Sequence, residues 1–263
     1  MPEAPEVYNY HLFLKDNLLN KQITTIRILS GKLLRNIDLL NVLHTLSNKI
    51  IVDIRVHGKV IFIKLSGQSD CYLEFSHGMT GYWTDIYIKH SRIEIVYGSS
   101  MSIYFNDSRN FGNFYILTQE QYESRVSLLG PSILGIHEND CLNLFRKKSR
   151  SELCKVLMDQ HVISGIGNYL RAEIMWYAYT FKEYFGLNYL TYKTKIGELS
   201  EVQLKTILYI ATQITRYYAG LNYSLFITPK DFDRTTFVYS QKEDPFGNIV
   251  YKMTYHNRTL HYI

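Results

Sequence analysis

The sequence predicts an α+β protein whose two halves follow different rhythms, and three observations carry that prediction. Short β-branched runs punctuated by glycines recur through residues 23–117. From Leu128-Leu129-Gly130-Pro131 onward the apolar residues return at helical spacing. Ahead of both, Val7, Tyr10, Leu14 and Leu18 recur three or four positions apart, so an amphipathic helix follows Pro2 directly.

Taken in order, the β half holds seven runs: residues 23–28, 50–56, 60–65, 71–75, 93–97, 101–105 and 114–117. Gly58, Gly67, Gly78, Gly98 and Gly112 mark turns among them, and many short strands with turn signals predict a β-sandwich through residue 118. Residues 119–150 read as a linker and the first helix of a C-terminal domain, and residues 151–235 as its helical body. There Leu153, Val156, Leu157 and Gln160 share one helical stripe, and Leu170, Ile174 and Met175 share another. Ser200 with Gln203 forms a capping box, and Gly220 stands where a C′ glycine belongs. Residues 236–263 read as a β-hairpin that turns at Asp244-Pro245-Phe246-Gly247-Asn248.

The composition narrows the function classes. With 46% hydrophobic and 20% charged residues in 263, the chain is globular and not disordered. The 23 tyrosines fit a coding bias as well as a Tyr-rich sandwich surface. A net charge of +5 permits an anionic partner, nucleic acid included. Cys71, Cys141 and Cys154 form no C-x-x-C pair, which argues against a disulfide framework and a cysteine zinc site and fits a reducing compartment. Neither a signal peptide nor an apolar run of membrane-spanning length is present, so a soluble intracellular protein is expected.

Two local patterns carry chemistry. Removal of Met1 would make Pro2 a terminal secondary amine, able to attack an electrophilic carbon and form an iminium ion. That iminium has no N–H proton to lose and stays an electron sink, with the Glu3 carboxylate tethered beside it for acid–base work. Most Met-Pro starts are merely termini. Gly165-Ile166-Gly167-Asn168 lies between two helices, where helix-entry N–H groups favour an anion such as phosphate. Standing alone, such a stretch is more often an ordinary interhelical turn.

In combination these residues resemble a family. Met1-Pro2-Glu3-x-Pro5-Glu6-Val7, Gly58-Lys59, His77-Gly78-Met79-Thr80-Gly81, Asp107-Ser108-Arg109-Asn110-Phe111-Gly112 and Leu129-Gly130-Pro131 are similar to stretches of the Fpg/Nei DNA glycosylases, in family order. Asp159-Gln160, followed by Gly165-Ile166-Gly167-Asn168-Tyr169, resembles the helix–two-turn–helix of that family. The tail departs from the common pattern, because no cysteine follows Cys154 where most members carry a four-cysteine zinc finger. Phe237-Val238-Tyr239, Pro245-Phe246-Gly247 and Asn257-Arg258-Thr259-Leu260-His261-Tyr262 keep the outline of its hairpin, like the zincless finger of an endonuclease VIII-like branch. His256 and His261 alone leave a tetrahedral ion short of ligands.

The resemblance implies a bifunctional DNA glycosylase/AP lyase of base excision repair that acts on oxidised pyrimidines and hydantoins rather than 8-oxoguanine. It implies Pro2 as nucleophile, Glu3 as acid toward the deoxyribose ring oxygen, and Lys59 near the phosphate of the damaged nucleotide. Glu6 is a second, supporting carboxylate or a helix-capping one. Met79, Arg109 and Phe111 match the trio that fills the void left by the extruded nucleotide, though Met and Phe near such turns are commonly core anchors. Asn168, Arg258, Gly165 and Gly167 are the implied phosphate-binding residues. The implied partner is damaged DNA, duplex or single-stranded, bound by a monomer without metal or other cofactor. Residues 221–235, at the place of a lesion-capping loop, carry no readable feature. A non-catalytic damaged-DNA binder would not need Pro2 with Glu3, a proline tautomerase would be shorter, and a ribosome-associated module would lack the sandwich motifs.

Overall fold

The structure, a computed structural model, describes residues 1–67, 71–136, 138–255 and 257–263. The chain forms two compact units, one of Met1–Pro2 with Glu6–Leu128, the other of Glu3–Pro5 with Leu129–Ile263.

Helix α1 (Ala4–Leu18), which belongs to the first unit from Glu6 onward, buries Val7, Leu14 and Leu18 completely, as its spacing predicts. Strands β1 (Ile23–Ile28), β2 (Ile51–His57), β3 (Val60–Leu65), β4 (Cys71–Ser76), β5 (Tyr82–Thr84), β6 (Ser91–Tyr97), β7 (Met101–Asn106) and β8 (Asn113–Thr118) follow. They make two antiparallel four-stranded sheets, ordered β1-β6-β7-β5 and β2-β3-β4-β8. Ile54, Ile61, Ile63, Leu73, Phe75, Ile95, Ile103 and Phe105 fill the core of this unit. Strand β5, absent from the sequence reading, is only three residues long and pairs with β7. Helix α2 (Ile37–Val42) lies in the connection between β1 and β2, capped by the Asn36 side chain.

Helix α3 (Gln119–Ser127) opens on a Thr118–Gln121 capping box. It belongs to the sandwich unit, whereas the sequence reading places residues 119–150 with the linker and C-terminal domain. The reason is aromatic: Tyr122 stacks on Tyr72 at 4.0 Å and meets Phe62 edge-on at 5.1 Å.

The second unit contains α4 (Glu138–Arg146), α5 (Leu153–Val156), α6 (Asn168–Thr180) and α7 (Glu201–Tyr218), then the hairpin β9 (Tyr251–Tyr255) and β10 (Arg258–Tyr262). Its core includes Phe145, Leu153, Ile163, Leu170, Ile174, Trp176, Ile207 and Phe237. The capping box of α7 and the positive φ of 72° at Gly220 agree with the sequence reading.

Two expectations are corrected. The stripe through Gln160 does not continue as helix, because α5 lasts one turn. The Gln160 side chain instead binds the loop that follows, donating to the Met158 and Ile166 carbonyls and accepting from the Gly165 N–H. The tail hairpin does not turn at Asp244–Asn248 but between β9 and β10, with Asn257 at φ 60°. The Asp244 turn is separate and is flanked by an isolated bridge, Glu243 to Ile249, and a Val250 N–H to Lys242 carbonyl bond.

Candidate active site

Helix α6 has no capping side chain of its own, since Gly167 stands at its N-cap. The cap comes from the start of the chain. Glu3, fully buried, accepts from the N–H groups of Gly167 at 2.6 Å, Tyr169 at 3.0 Å and Leu170 at 3.2 Å. A carboxylate among the first amides of a helix is favoured by the hydrogen bonds and by the helix dipole. The Ala4 N–H adds a fourth tie, to the Gly165 carbonyl at 2.9 Å. Glu3 is therefore seated rigidly, one peptide bond from the buried Pro2. Glu6 lies in the first turn of α1, and its charge, after burial, helps push the Tyr10 phenol up to about 12.

This seat revises two assignments. The N–H groups of Gly165 and Gly167, offered to a phosphate by the sequence reading, already bind the Gln160 side chain and Glu3. Both glycines are buried, and Gly165 takes φ 109°, a backbone state L side chains rarely adopt. They shape the turn that receives Glu3. Asn168 is brought beside the tail hairpin: its Nδ2 donates to the Thr259 carbonyl at 2.9 Å, and its Oδ1 accepts from Arg171 at 2.6 Å. Arg171 also reaches the Thr259 carbonyl, at 3.2 Å. Arg258, the neighbour of Thr259, is exposed at the start of β10, beside the hairpin turn. Burial pushes the Arg171 guanidinium below its ordinary value, and the charge of Arg258 acts in the same direction.

In the first unit, the other candidates gather around two loops. Gly58 and Lys59 form the two-residue turn between β2 and β3, Gly58 at φ 58°. The buried His77 imidazole responds to the Lys59 backbone and the Asp107 charge, yet burial dominates and pulls it down to about 4. Asp107 joins the loops: it accepts from Thr80 Oγ1 at 2.5 Å and the Gly112 N–H at 2.7 Å, while Thr80 Oγ1 accepts from the Arg109 N–H. Gly78 allows the approach, since a Cβ there would stand 2.7 Å from the backbone of Phe111 and Gly112. Lys32 braces the second loop through the Phe111 carbonyl and the Asn113 side chain. The Arg109 guanidinium lies over the Phe111 ring at 4.9 Å, and Phe111 is 49% exposed. An exposed cation–aromatic pair on a braced loop is not a core anchor. Met79 sits half-buried on the facing turn.

With this geometry in view, comparison with known proteins is informative. The formamidopyrimidine-DNA glycosylase N-terminal domain matches residues 1–114. A formamidopyrimidine-DNA glycosylase of a Wolbachia from Drosophila simulans is 30% identical over 190 residues, covering 68% of this chain and 67% of that one. The chain belongs to the formamidopyrimidine-DNA glycosylase (Fpg/Nei) family. It is thus a DNA N-glycosylase of the DNA-repair class. The family relative from Mycoplasma mobile is 28% identical over 266 residues, spanning 98% of this chain and 89% of its own. The fold extends to the Lactococcus lactis formamidopyrimidine-DNA glycosylase, solved noncovalently bound to DNA containing an AP site. Its TM-score is 0.78 at 18% identity, with 99% of this chain and 97% of that one covered.

Sequence reasoning misses Arg171, Glu173, Thr80 and Lys32, which hydrogen-bond the tail and the loops that carry candidate residues. A signal for the first two exists, because a guanidinium and a carboxylate two residues apart interrupt an otherwise apolar run, residues 170–178. The unreadable segment 221–235 is pinned by Phe226. Its N–H donates to the Tyr177 hydroxyl, and its ring meets Phe181 at 5.4 Å and Tyr184 at 4.6 Å. Among the described residues no helix is long and apolar enough to cross a membrane. His256, named in the metal argument, lies outside the described residues.

Proposed function

We propose that the protein is a bifunctional glycosylase and AP lyase that removes oxidised bases from DNA, pyrimidines and hydantoins in particular. After loss of Met1, the Pro2 nitrogen attacks C1′ of the damaged nucleotide. The C1′–base bond breaks with its electron pair leaving on the base, which takes up a proton. Glu3 assists opening of the deoxyribose ring at its oxygen, and the resulting Pro2 iminium acidifies the C2′ proton. Loss of that proton expels the 3′ phosphate and cleaves the strand.

The observation that supports this reading best is the seat of Glu3: a buried carboxylate held by three amide N–H groups and bonded directly to Pro2. A helix cap needs a carboxylate but no proline before it. The AP-site DNA held by the Lactococcus lactis relative is the kind of intermediate on which the lyase step acts. Lys59, Asn168 and Arg258 are the proposed phosphate contacts, which fix register without reading sequence. The test is a panel of duplex and single-stranded oligonucleotides, each with one lesion. Strand cleavage at oxidised pyrimidines and hydantoins, exceeding that at 8-oxoguanine, is the expected result. Binding without cleavage across the panel would leave only a damage-recognition protein.

Extrusion of the nucleotide costs a few kcal/mol of lost stacking, and Met79, Arg109 and Phe111 are proposed to offset it by entering the vacated stack. Replacing all three with alanine is expected to slow excision from duplex far more than from single strands, where no opposite base needs holding. Equal loss on both substrates would assign the trio a folding role.

A further inference from the structure

The tail lacks the donor set of a metal finger. No cysteine follows Cys154, and among the described residues no group of three His, Cys, Asp or Glu side chains can hold an ion. Yet the hairpin is attached to α6, and the attachment is polar and buried. Three α6 residues, Arg171, Glu173 and Trp176, reach three separate points of the tail.

Glu173 is fully buried and gathers successive amides. Its Oε2 accepts from the Phe237 N–H at 2.6 Å and the Tyr218 hydroxyl at 2.6 Å. Its Oε1 accepts from the N–H groups of Val238 at 3.0 Å and Tyr239 at 2.9 Å. Consecutive N–H groups converging on one anion form a nest, the backbone arrangement that elsewhere binds phosphate. Trp176 donates its indole N–H to Asp244 Oδ2 at 3.1 Å. Asp244, also fully buried, closes its own turn by accepting from the N–H groups of Phe246 and Asn248, both at 2.9 Å. Arg171 grips the Thr259 carbonyl, next to Arg258. Apolar stacking adds to the hold, with Trp176 and Phe237 4.4 Å apart.

We infer that Glu173 and Asp244 are positioning residues that do for this finger what a metal does in a four-cysteine one. Each collects several ligands of the tail at one buried point and so fixes Arg258 and Asn168 as a pair. The physical logic is shared: a zinc ion draws four side chains to one cation, and here a carboxylate draws three or four N–H and O–H donors to one anion. Because the tail donors to Glu173 are backbone amides, its grip places no demand on the side chains of residues 237–239, Asp244 is the one carboxylate the tail itself supplies to the hold, and neither point calls for a cysteine. The inference rests on the phosphate-anchoring role proposed for Arg258.

The test uses the full-length protein and a duplex carrying a tetrahydrofuran abasic-site analogue. Glu173→Gln keeps volume but turns an amide NH2 toward the donors. It is expected to raise hydrogen exchange across residues 236–262 while residues 6–128 keep wild-type protection. Arg258→Ala is expected to weaken binding across sequences and flatten the salt dependence by about one phosphate contact. Glu173→Gln should reach at least the same loss, and adding Arg258→Ala to it should cost no more. Asp244→Asn, which keeps volume and turns an amide NH2 toward one of its donors, should free residues 244–250 selectively and covers the case in which Glu173→Gln does not fold. Purified protein should carry no stoichiometric zinc, and chelators should leave binding unchanged. Unaltered exchange at 236–262 in both variants, additive losses in the double variant, or one zinc per chain would each overturn the inference. Should Arg258→Ala leave binding unchanged, the phosphate role fails, and the exchange data still decide the grip.

Discussion

Glu3→Gln is expected to lower base excision by about 10²–10⁴-fold, the usual contribution of a placed acid–base group, while sparing much of the lyase activity on a pre-formed abasic site. The geometry makes the variant informative. Glutamine fills the same buried volume and keeps one oxygen for the amides of Gly167, Tyr169 and Leu170. Its NH2 group then faces at least one N–H, so a helix cap is weakened, at about 0.5–2 kcal/mol. A modest drop in thermal stability should therefore accompany a far larger loss of excision. The abasic substrate has already lost its base and needs only amine attack and elimination, so it should suffer least. Excision and lyase activity falling together, in proportion to a fraction unfolded, would reduce Glu3 to a cap. Unchanged excision would remove it from the chemistry.

Retention of Met1 is expected to abolish borohydride trapping on a lesion-containing or abasic oligonucleotide. With Met1 in place the Pro2 nitrogen is a tertiary amide, its lone pair delocalised into the carbonyl, and no iminium can form on it. Processed protein should trap in good yield, with the adduct located at Pro2 by peptide mapping. Pro2→Gly offers a primary amine at the same place and should trap through an imine, more slowly. Undiminished trapping by the Met1-retaining form would move the nucleophile to a lysine, with Lys59 the first to examine. Binding of the abasic-analogue duplex should survive in all three forms, because the proposed phosphate contacts are untouched.

Much of the sandwich is legible in its residues because a strand declares itself by β-branched composition and short length. The runs at 23–28 and 60–65 coincide with β1 and β3. Tyr82–Thr84 escapes because three residues establish no alternation, and only pairing with β7 makes them a strand. The stripe ending at Gln160 overstates α5 because periodicity cannot tell whether a polar side chain points to solvent or turns back to bind its own loop. The turn at Asp244 reads correctly as a turn and wrongly as the hairpin tip. Turn residues mark reversals, and which reversal carries paired strands depends on what each side packs against.

By itself the sequence determined the succession of a sandwich half and a helical half, the capping box of α7, the amphipathic face of α1 and the presence of Pro2, Glu3, Lys59, Met79, Arg109 and Phe111 in family order. All of these are local: a cap spans four residues, a stripe three or four turns, a motif a handful of neighbours. Tertiary structure alone decided where the buried charges go. Glu3 caps a helix that begins 165 positions later in the chain, at Asn168, and Glu173 binds amides some 64 to 66 positions away. A lone carboxylate in a sequence looks the same whether water or a distant helix solvates it. The cost of burying it unpaired is what forces the chain to bring those amides to it, and that pairing exists only once the fold has closed.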